Sequence, residues 1–291
     1  MMRNLRKFRR FVVNEPFQVF LLVGLTLFAI FMLLPVIFIL NHAFKPIGEL
    51  FAYPPQFFVD QPTLFNFQRL MLQTATLVVP FSRYLFNSIL TSGVTVIGII
   101  MVSSMAAYAF SKLEYPGNRF FNWLIIVSLM FAPEAVGIPK YLVVSELGLS
   151  NTYLVHTLPL IATPVAVFLL KQFVDQIPNE LLEAMKIDGA GDWMIYLRLV
   201  LPMTLPAIAT VGILSFQNSW IQVETSNLYI TKEAYRTLPY YVATLTNGSA
   251  NNVVGQGIAA AAALFLFVPN IIMFLVFQRR VMATMAHSGI K

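Results

Sequence analysis

The chain has 291 residues, 58% apolar and 11% charged, with no cysteine and a formal net charge of +6; its mean hydropathy is +0.73. Soluble domains carry about 45–50% apolar and about 25% charged residues, so this composition excludes a water-covered globule and indicates an integral membrane protein. The missing cysteines exclude a disulfide framework and a thiolate metal site. Five of the 19 basic residues fall in the first ten positions, "MMRNLRKFRR", which reads as a topology signal rather than a nucleic-acid surface.

That stretch, residues 1–16, is predicted to be a cytoplasmic basic N-terminus, and 17–291 to form one transmembrane domain. The uncharged run from Phe17 to Asn41 is long enough to cross about 30 Å of hydrocarbon. It exceeds the apolar core of about 7–15 residues in a cleaved signal peptide, so it reads as a retained span. Further spans are predicted near 84–110, 120–144, 153–173, 197–219 and 258–278, giving an all-α membrane protein of six transmembrane helices. The third carries Pro133 and Pro139, and the fifth carries Pro202 and Pro206. Kinks are expected there, and a kinked span needs neighbours or water for its freed carbonyls, so both should face the protein interior.

With the N-terminus inside, thirteen basic residues lie on the cytoplasmic side, among them Arg3, Lys112, Arg119, Lys171, Lys186, Arg198, Arg279, Arg280 and Lys291. Six, Lys45, Arg69, Arg83, Lys140, Lys232 and Arg236, lie outside. This bias places both termini in the cytoplasm. Two long outer loops follow, about 42–83 and 220–257. The first is rich in proline and aromatics and reads as an ordered but irregular cap. The second, "TKEAYRTLPYYVATLTNGSANNVVGQG" at 231–257, reads as an ordered contact surface.

No GxxxxGK[ST] phosphate loop occurs, because no glycine is followed by lysine. HExxH, GxSxG and paired His ligands are absent too; His42, His156 and His287 are scattered. The chain therefore reads as no enzyme by itself and as holding no cofactor or metal. Ionisable residues within the spans are few, as the third shows with only Glu134 and Lys140 in its outer part. These either meet the interface or line water, or form an ion-coupling site. The scarcity points to an external energy source.

One segment departs from the greasy, basic background. In and just before "NELLEAMKIDGAGDWMIYLRLVLP" at 179–202 stand Asp175, Glu180, Glu183, Asp188 and Asp192. Pro178 suits a helix's first turn, and Asn179, Glu180 and Glu183 complement that helix's positive end. Leu181, Leu182, Ala184 and Met185 give it apolar contact. Gly189 ends it, and Asp192 can cap a second helix running through Trp193 and Tyr196 into the fifth span. The loop, about 176–196, thus reads as two short angled helices, a rigid knob able to transmit force to a kinked span. The same features also suit a surface loop capped at both ends.

The spacing favours the lever. Glu183-Ala184-Met185, three residues, Gly189, nine residues, Leu199, one residue, then Leu201-Pro202 resembles the EAA-x3-G-x9-I-x-LP loop of ABC-importer permeases, with Met185 and Leu199 as departures. "FNSIL" at 86–90, "AAYAFSKLEYPG" at 106–117, "LGLSNT" at 147–152 and "LLKQFVDQIPNELLEAMKIDGA" at 169–190 are similar to the carbohydrate-uptake permeases of the maltose type.

The resemblance implies a type I ABC-importer permease of a bacterial cytoplasmic membrane, moving a sugar or oligosaccharide. Its cytoplasmic coupling helix would dock on an ATPase that binds ATP and Mg in trans. By position, Glu183 would meet a basic group of the ATPase and Ala184 would pack closely on it. Met185 and Asp188 belong to the same segment, Gly189 would make the turn, and Leu201 and Pro202 would begin the fifth span. The implied partners are a second, related permease chain, two ATPase copies and an extracytoplasmic solute-binding protein, with no nucleic acid.

Tyr229, Tyr235, Tyr240 and Tyr241 are candidate contacts to the binding protein. Many relatives read W-N-[DE] after the fifth span, where this chain has Trp220-Ile221-Gln222, so a substrate role for those polar positions does not carry over. Phe216, Gln217, Asn218 and Trp220 still group rings with amides, which suits a sugar and equally suits interfacial anchoring and helix packing. Two alternatives stay open: another solute such as a glycerol phosphate ester, and an ion-coupled secondary carrier.

Overall fold

The computed structural model describes residues 16–54, 56–75, 79–132, 134–248 and 253–288, and these residues form helices and turns without strands. Expectations resting on the basic stretch 1–15, on Pro133, on 289–291 and on the side chains of Arg279 and Arg280 lie outside the described residues. The chain divides into two compact units, Met1–Leu70 with Gly248–Leu264, and Met71–Asn247 with Phe265–Lys291.

In the first unit, α1 (Pro16–Phe44) is apolar around its whole circumference. Such a helix suits lipid or the core of a large bundle. The segment after it holds the short α2 (Ile47–Leu50) and leads to α3 (Phe65–Ala75). It is ordered by side chains bonding backbone. Asn41 Oδ1 accepts from Val59 N–H at 3.0 Å, and the two Glu49 carboxylate oxygens accept from Asp60 and Gln61 N–H. Asn66 is fully buried; its Nδ2 donates to the carbonyls of His42, Ala43 and Lys45 at 3.3, 3.0 and 2.8 Å, satisfying orphan acceptors where α1 ends.

A Cβ added at Gly257 would stand 2.7 Å from Asn66 Oδ1. Because three carbonyls pin that amide, Gly257→Ala is expected to cost about 1–3 kcal/mol by overpacking. Thermal melting of the purified subunit checks this, and an unchanged midpoint refutes it.

The second unit is organised on α4 (Phe81–Lys112). Its Ser88, Thr91, Ser92, Thr95, Ser103 and Ser104 are all buried. Small hydroxyl residues let helices approach closely in lipid; Thr91 Oγ1 bonds back to Asn87 O at 2.7 Å and Ser104 Oγ to Ile100 O at 2.6 Å, whereas Thr95 Oγ1 reaches His156 O outside the helix. After α5 (Asn118–Ser128), α6 (Gly137–Glu146), a 3-10 turn Tyr153–His156 and α7 (Leu158–Ile161), α8 (Pro164–Asp175) packs along α4. Next come α9 (Asn179–Ile187), α10 (Asp192–Met203) and α11 (Leu205–Trp220), which also packs on α4. The chain continues through α12 (Glu224–Tyr229), a 3-10 turn Glu233–Tyr235 and α13 (Leu238–Gly248). The last helix, α14 (Val253–Ser288), begins in the first unit and ends in the second.

Among the described residues, three helical stretches can cross a membrane by length and composition, Phe17–Phe44, Phe81–Lys112 and Gly255–Gln278, and up to five if two bent pairs each count as one. The stretch 120–144, expected as one kinked span, is two helices of 11 and 10 residues with turns between them. Proline removes a helix donor and disfavours helix in the residue before it, and "APEAVG" at 132–137 adds a glycine. Glu134 accordingly sits exposed in a turn rather than inside a helix.

The fourth stretch bends by 44° between α7 and α8, a break absent from the sequence reading. Thr163, which precedes Pro164, is extended at φ −106° and ψ 103°, as a residue before proline prefers. The fifth bends by 77° between α10 and α11, at Thr204, between Pro202 and Pro206. The new direction therefore starts at Leu205, and Leu201 and Pro202 close α10 instead of opening the next helix.

Candidate coupling site

The segment around Glu183 forms α9 and the start of α10, joined through Asp188–Gly191. α9 buries Leu182 and turns Glu180, Glu183, Ala184, Lys186 and Asp188 outward, while Met185 is half-buried against the core. At its end Asp188 is followed by Gly189 at φ +82°. Gly189 N–H donates to Lys186 O at 3.0 Å and Ala190 N–H to Met185 O at 2.9 Å. This is the paired bonding of a glycine-ended helix, which an L side chain can adopt only under strain. Nothing lies within 4 Å of a Cβ at Gly189, so conformation rather than packing requires the glycine.

Two capping expectations are corrected. Pro178 occupies the N-cap position, not the first turn, and Gly191 rather than Asp192 caps α10; neither cap uses a side-chain hydrogen bond. Asp192 is instead the first helical residue, where its charge still suits the positive helix end. It lies 3.8 Å from Lys186, both side chains more than half exposed, so that pair contributes little stability.

The base under the exposed face is apolar and continuous. Leu182, Ile195, Tyr196 and Val200 join Ile99, Ala107 and Tyr108 of α4, Leu170 and Val174 of α8 and Val211 of α11 in one buried cluster. Lys112, at the end of α4, ties the segment down: its ammonium donates to Ile177 O at 2.6 Å and Asn179 Oδ1 at 2.9 Å. An open groove of about 780 Å3 runs beside α9, between Glu183, Lys186 and Asp192 and the stretch 111–115 at the end of α4. Nothing in the sequence reading singled out Lys112 as a brace. The only signal was a lone cation at the end of a long apolar run.

The residues of the aromatic and amide group divide. Trp220 is 2% exposed; its indole N–H donates to Leu266 O of α14 at 3.0 Å, and its ring stacks on Phe216 at 5.4 Å. That hydrogen bond makes Trp220 a packing residue, which corrects its place among the substrate candidates. Phe216 and Gln217 are half-buried and Asn218 is exposed.

The four tyrosines divide too. Tyr229 stacks on Tyr141 at 5.6 Å in a cluster with Val144, Val155 and Ile230. Tyr241 stacks on Tyr84 at 4.7 Å. Both are buried, and burial pushes both phenols above their ordinary value, aided at Tyr229 by the nearby Glu224 charge. Buried rings cannot meet an outside protein, so these two are corrected to supports, whereas Tyr235 and Tyr240 are half-buried.

The supports belong to a network the sequence did not disclose. Asn87, fully buried, donates to Ala234 O at 2.9 Å and Arg236 O at 2.7 Å and accepts from the Tyr153 hydroxyl at 2.8 Å. Ser88 Oγ accepts from Leu238 N–H at 2.8 Å, and Tyr84 OH donates to Glu233 at 2.7 Å. The segment 220–248 is thus bound to the first turns of α4. The Glu183 segment is bound to its last turn at Lys112, which the helical rise places about 36 Å along α4 from Ser88. Among the described residues no cluster of His, Asp or Glu could hold a metal ion.

A family profile described as "Binding-protein-dependent transport system inner membrane component" matches residues 99–281. The arabinooligosaccharides transport system permease protein AraQ of Halalkalibacterium halodurans is 30% identical over 273 residues, 93% of this chain and 95% of the relative. The sn-glycerol-3-phosphate transport system permease protein UgpE of Yersinia enterocolitica is 32% identical over 200 residues, 69% of this chain and 71% of the relative. Among solved structures, a bacterial ABC transporter involved in the import of the acidic polysaccharide alginate has a chain that superimposes with a TM-score of 0.79. That match is at 20% identity and covers 92% of this chain and 97% of the other, a likeness of fold.

Proposed function

The chain belongs to the binding-protein-dependent transport system inner membrane components, and from that premise we propose that it passes a sugar or oligosaccharide from an extracytoplasmic solute-binding protein into the cytoplasm. As a multi-pass permease component it is not itself catalytic. ATP is hydrolysed by a separate cytoplasmic ATPase, two copies of which serve this chain and a second, related permease. Both termini are cytoplasmic, and the broken α5–α6 stretch completes six crossings.

The observation that carries this reading is the exposed Glu183–Ala184 face on a buried, braced base. Such a face can accept force from a partner without deforming itself. ATPase closure pushes α9, α10 turns with it, and the 77° bend into α11 delivers the motion to the gates. The Asn87-held segment on the far side faces the binding protein, with Tyr235 and Tyr240 as contacts. Phe216, Gln217 and Asn218 are left as candidates for the solute pathway.

A glycerol phosphate ester is the second reading, favoured by the Yersinia relative. A phosphate ester calls for cations facing the pathway, and α11 carries none. Uptake by the assembled importer in proteoliposomes separates the two, with labelled arabinotriose, trehalose and glycerol 3-phosphate as probes. ATP-dependent uptake of a sugar and not of the phosphate ester is expected. Uptake of the ester alone would reverse the assignment, and uptake driven by an ion gradient without ATPase would refute the whole reading.

A further inference from the structure

Apolar contact alone is non-directional, so the cluster under α9 leaves open what sets the angle at which the coupling segment leans on the spans. A buried hydrogen bond supplies a direction. Tyr196 OH lies 2.7 Å from Ser104 Oγ on α4. Ser104 Oγ is also 2.6 Å from Ile100 O, a carbonyl that can only accept. The single serine hydrogen therefore goes to Ile100, and Tyr196 is the donor to Ser104.

Tyr196 holds the backbone as well. It opens a single π turn, Tyr196–Val200, in which Leu201 N–H reaches back five residues to Tyr196 O. Pro202 follows, without an N–H to restore the ordinary ladder. One face of the Tyr196 ring meets Trp193 at 5.3 Å, and Trp193 is 61% exposed beside α9. Along this line, Trp193, Tyr196 and Ser104 lead from the exposed segment to the middle of the second unit.

We propose that Tyr196 and Ser104 are positioning residues: their hydrogen bond fixes the coupling segment to α4, so that displacement of α9 moves the spans instead of rolling over them. The inference rests on the permease reading above. The test uses the whole importer, with partner permease, ATPases and binding protein, in nanodiscs. Since the chain has no native cysteine, single cysteines at Ile187 and Met101, both exposed, give clean spin-label sites. Pulsed electron resonance then reads the distance between them, without nucleotide and trapped with ATP and vanadate.

The wild type should keep one narrow distance in both states. Tyr196→Phe and Ser104→Ala should each broaden it about twofold. The double variant should do no more than either, and Ser104→Thr should restore it. Stimulation of ATP hydrolysis by the binding protein should fall roughly fivefold in the two broadening variants, about the value of one net hydrogen bond, while basal hydrolysis and ATPase co-purification stay as in wild type.

Unchanged widths, effects that add in the double variant, or loss of ATPase co-purification would each overturn the proposal, the last by making the bond mere packing. If Glu183→Arg leaves the ATPase bound, the reading of α9 as the coupling segment fails. If Glu183→Arg releases it while Tyr196→Phe behaves as wild type, only this inference fails.

Discussion

Glu183→Arg is expected to abolish capture of the ATPase and, with it, uptake, while leaving the subunit inserted and folded. Glu183 is exposed and makes no ion pair or hydrogen bond among the described residues, so the native fold loses nothing when the charge is reversed. What is lost is an attraction across an interface, replaced by repulsion. Close charge pairs at interfaces couple by about 1.5–7 kcal/mol, so association should weaken at least about tenfold. Co-purification of the ATPase with the tagged permease measures this, with membrane-fraction yield as the folding control.

Gly189→Val should give a similar loss by another route. At φ +82° a β-branched residue is strained, and relieving that strain re-aims α10 relative to α9. Normal ATPase capture by both variants would mean the segment is only a well-capped loop.

Asn87→Leu should be the most destabilising single change in the second unit. It deletes two donors and one acceptor at a fully buried site, orphans Arg236 O and the Tyr153 hydroxyl, and leaves Ala234 O with Arg83 Nε at 3.3 Å as its side-chain donor. Each buried group left unpaired costs about 1–3 kcal/mol, so for two such groups a loss of about 2–6 kcal/mol is expected. That corresponds to a fall in melting temperature of roughly 10 °C for a domain of this size. Asn87→Asp, which keeps the shape and the acceptor but loses the donors, should fall between. A melting point within about 2 °C of wild type for Asn87→Leu would show that the network contributes no stability.

The spans and the coupling segment could be read along the chain because their causes are local. A long uncharged run needs lipid wherever it is placed, and a glycine four residues after an amphipathic turn ends that turn in any surroundings. The bend at Thr204 also follows from nearby prolines. The division of the tyrosines could not be read in this way. Tyr229, Tyr235, Tyr240 and Tyr241 look alike in composition, yet Tyr229 and Tyr241 find partners in Tyr141 and Tyr84, 88 and 157 positions earlier. Trp220 was hidden for the same reason, its partner carbonyl lying in another helix.

"FNSIL" marks the opposite case. The motif was visible at 86–90, but what Asn87 and Ser88 hold is a segment about 150 residues on. By itself, then, the amino-acid order determined a helical membrane permease with an exposed, glycine-ended knob, because hydrophobic length and turn chemistry act within a few residues. Only the tertiary structure decided that Lys112 and the Tyr196–Ser104 bond brace that knob. Those outcomes depend on donors and acceptors meeting across chain separations that no local pattern records.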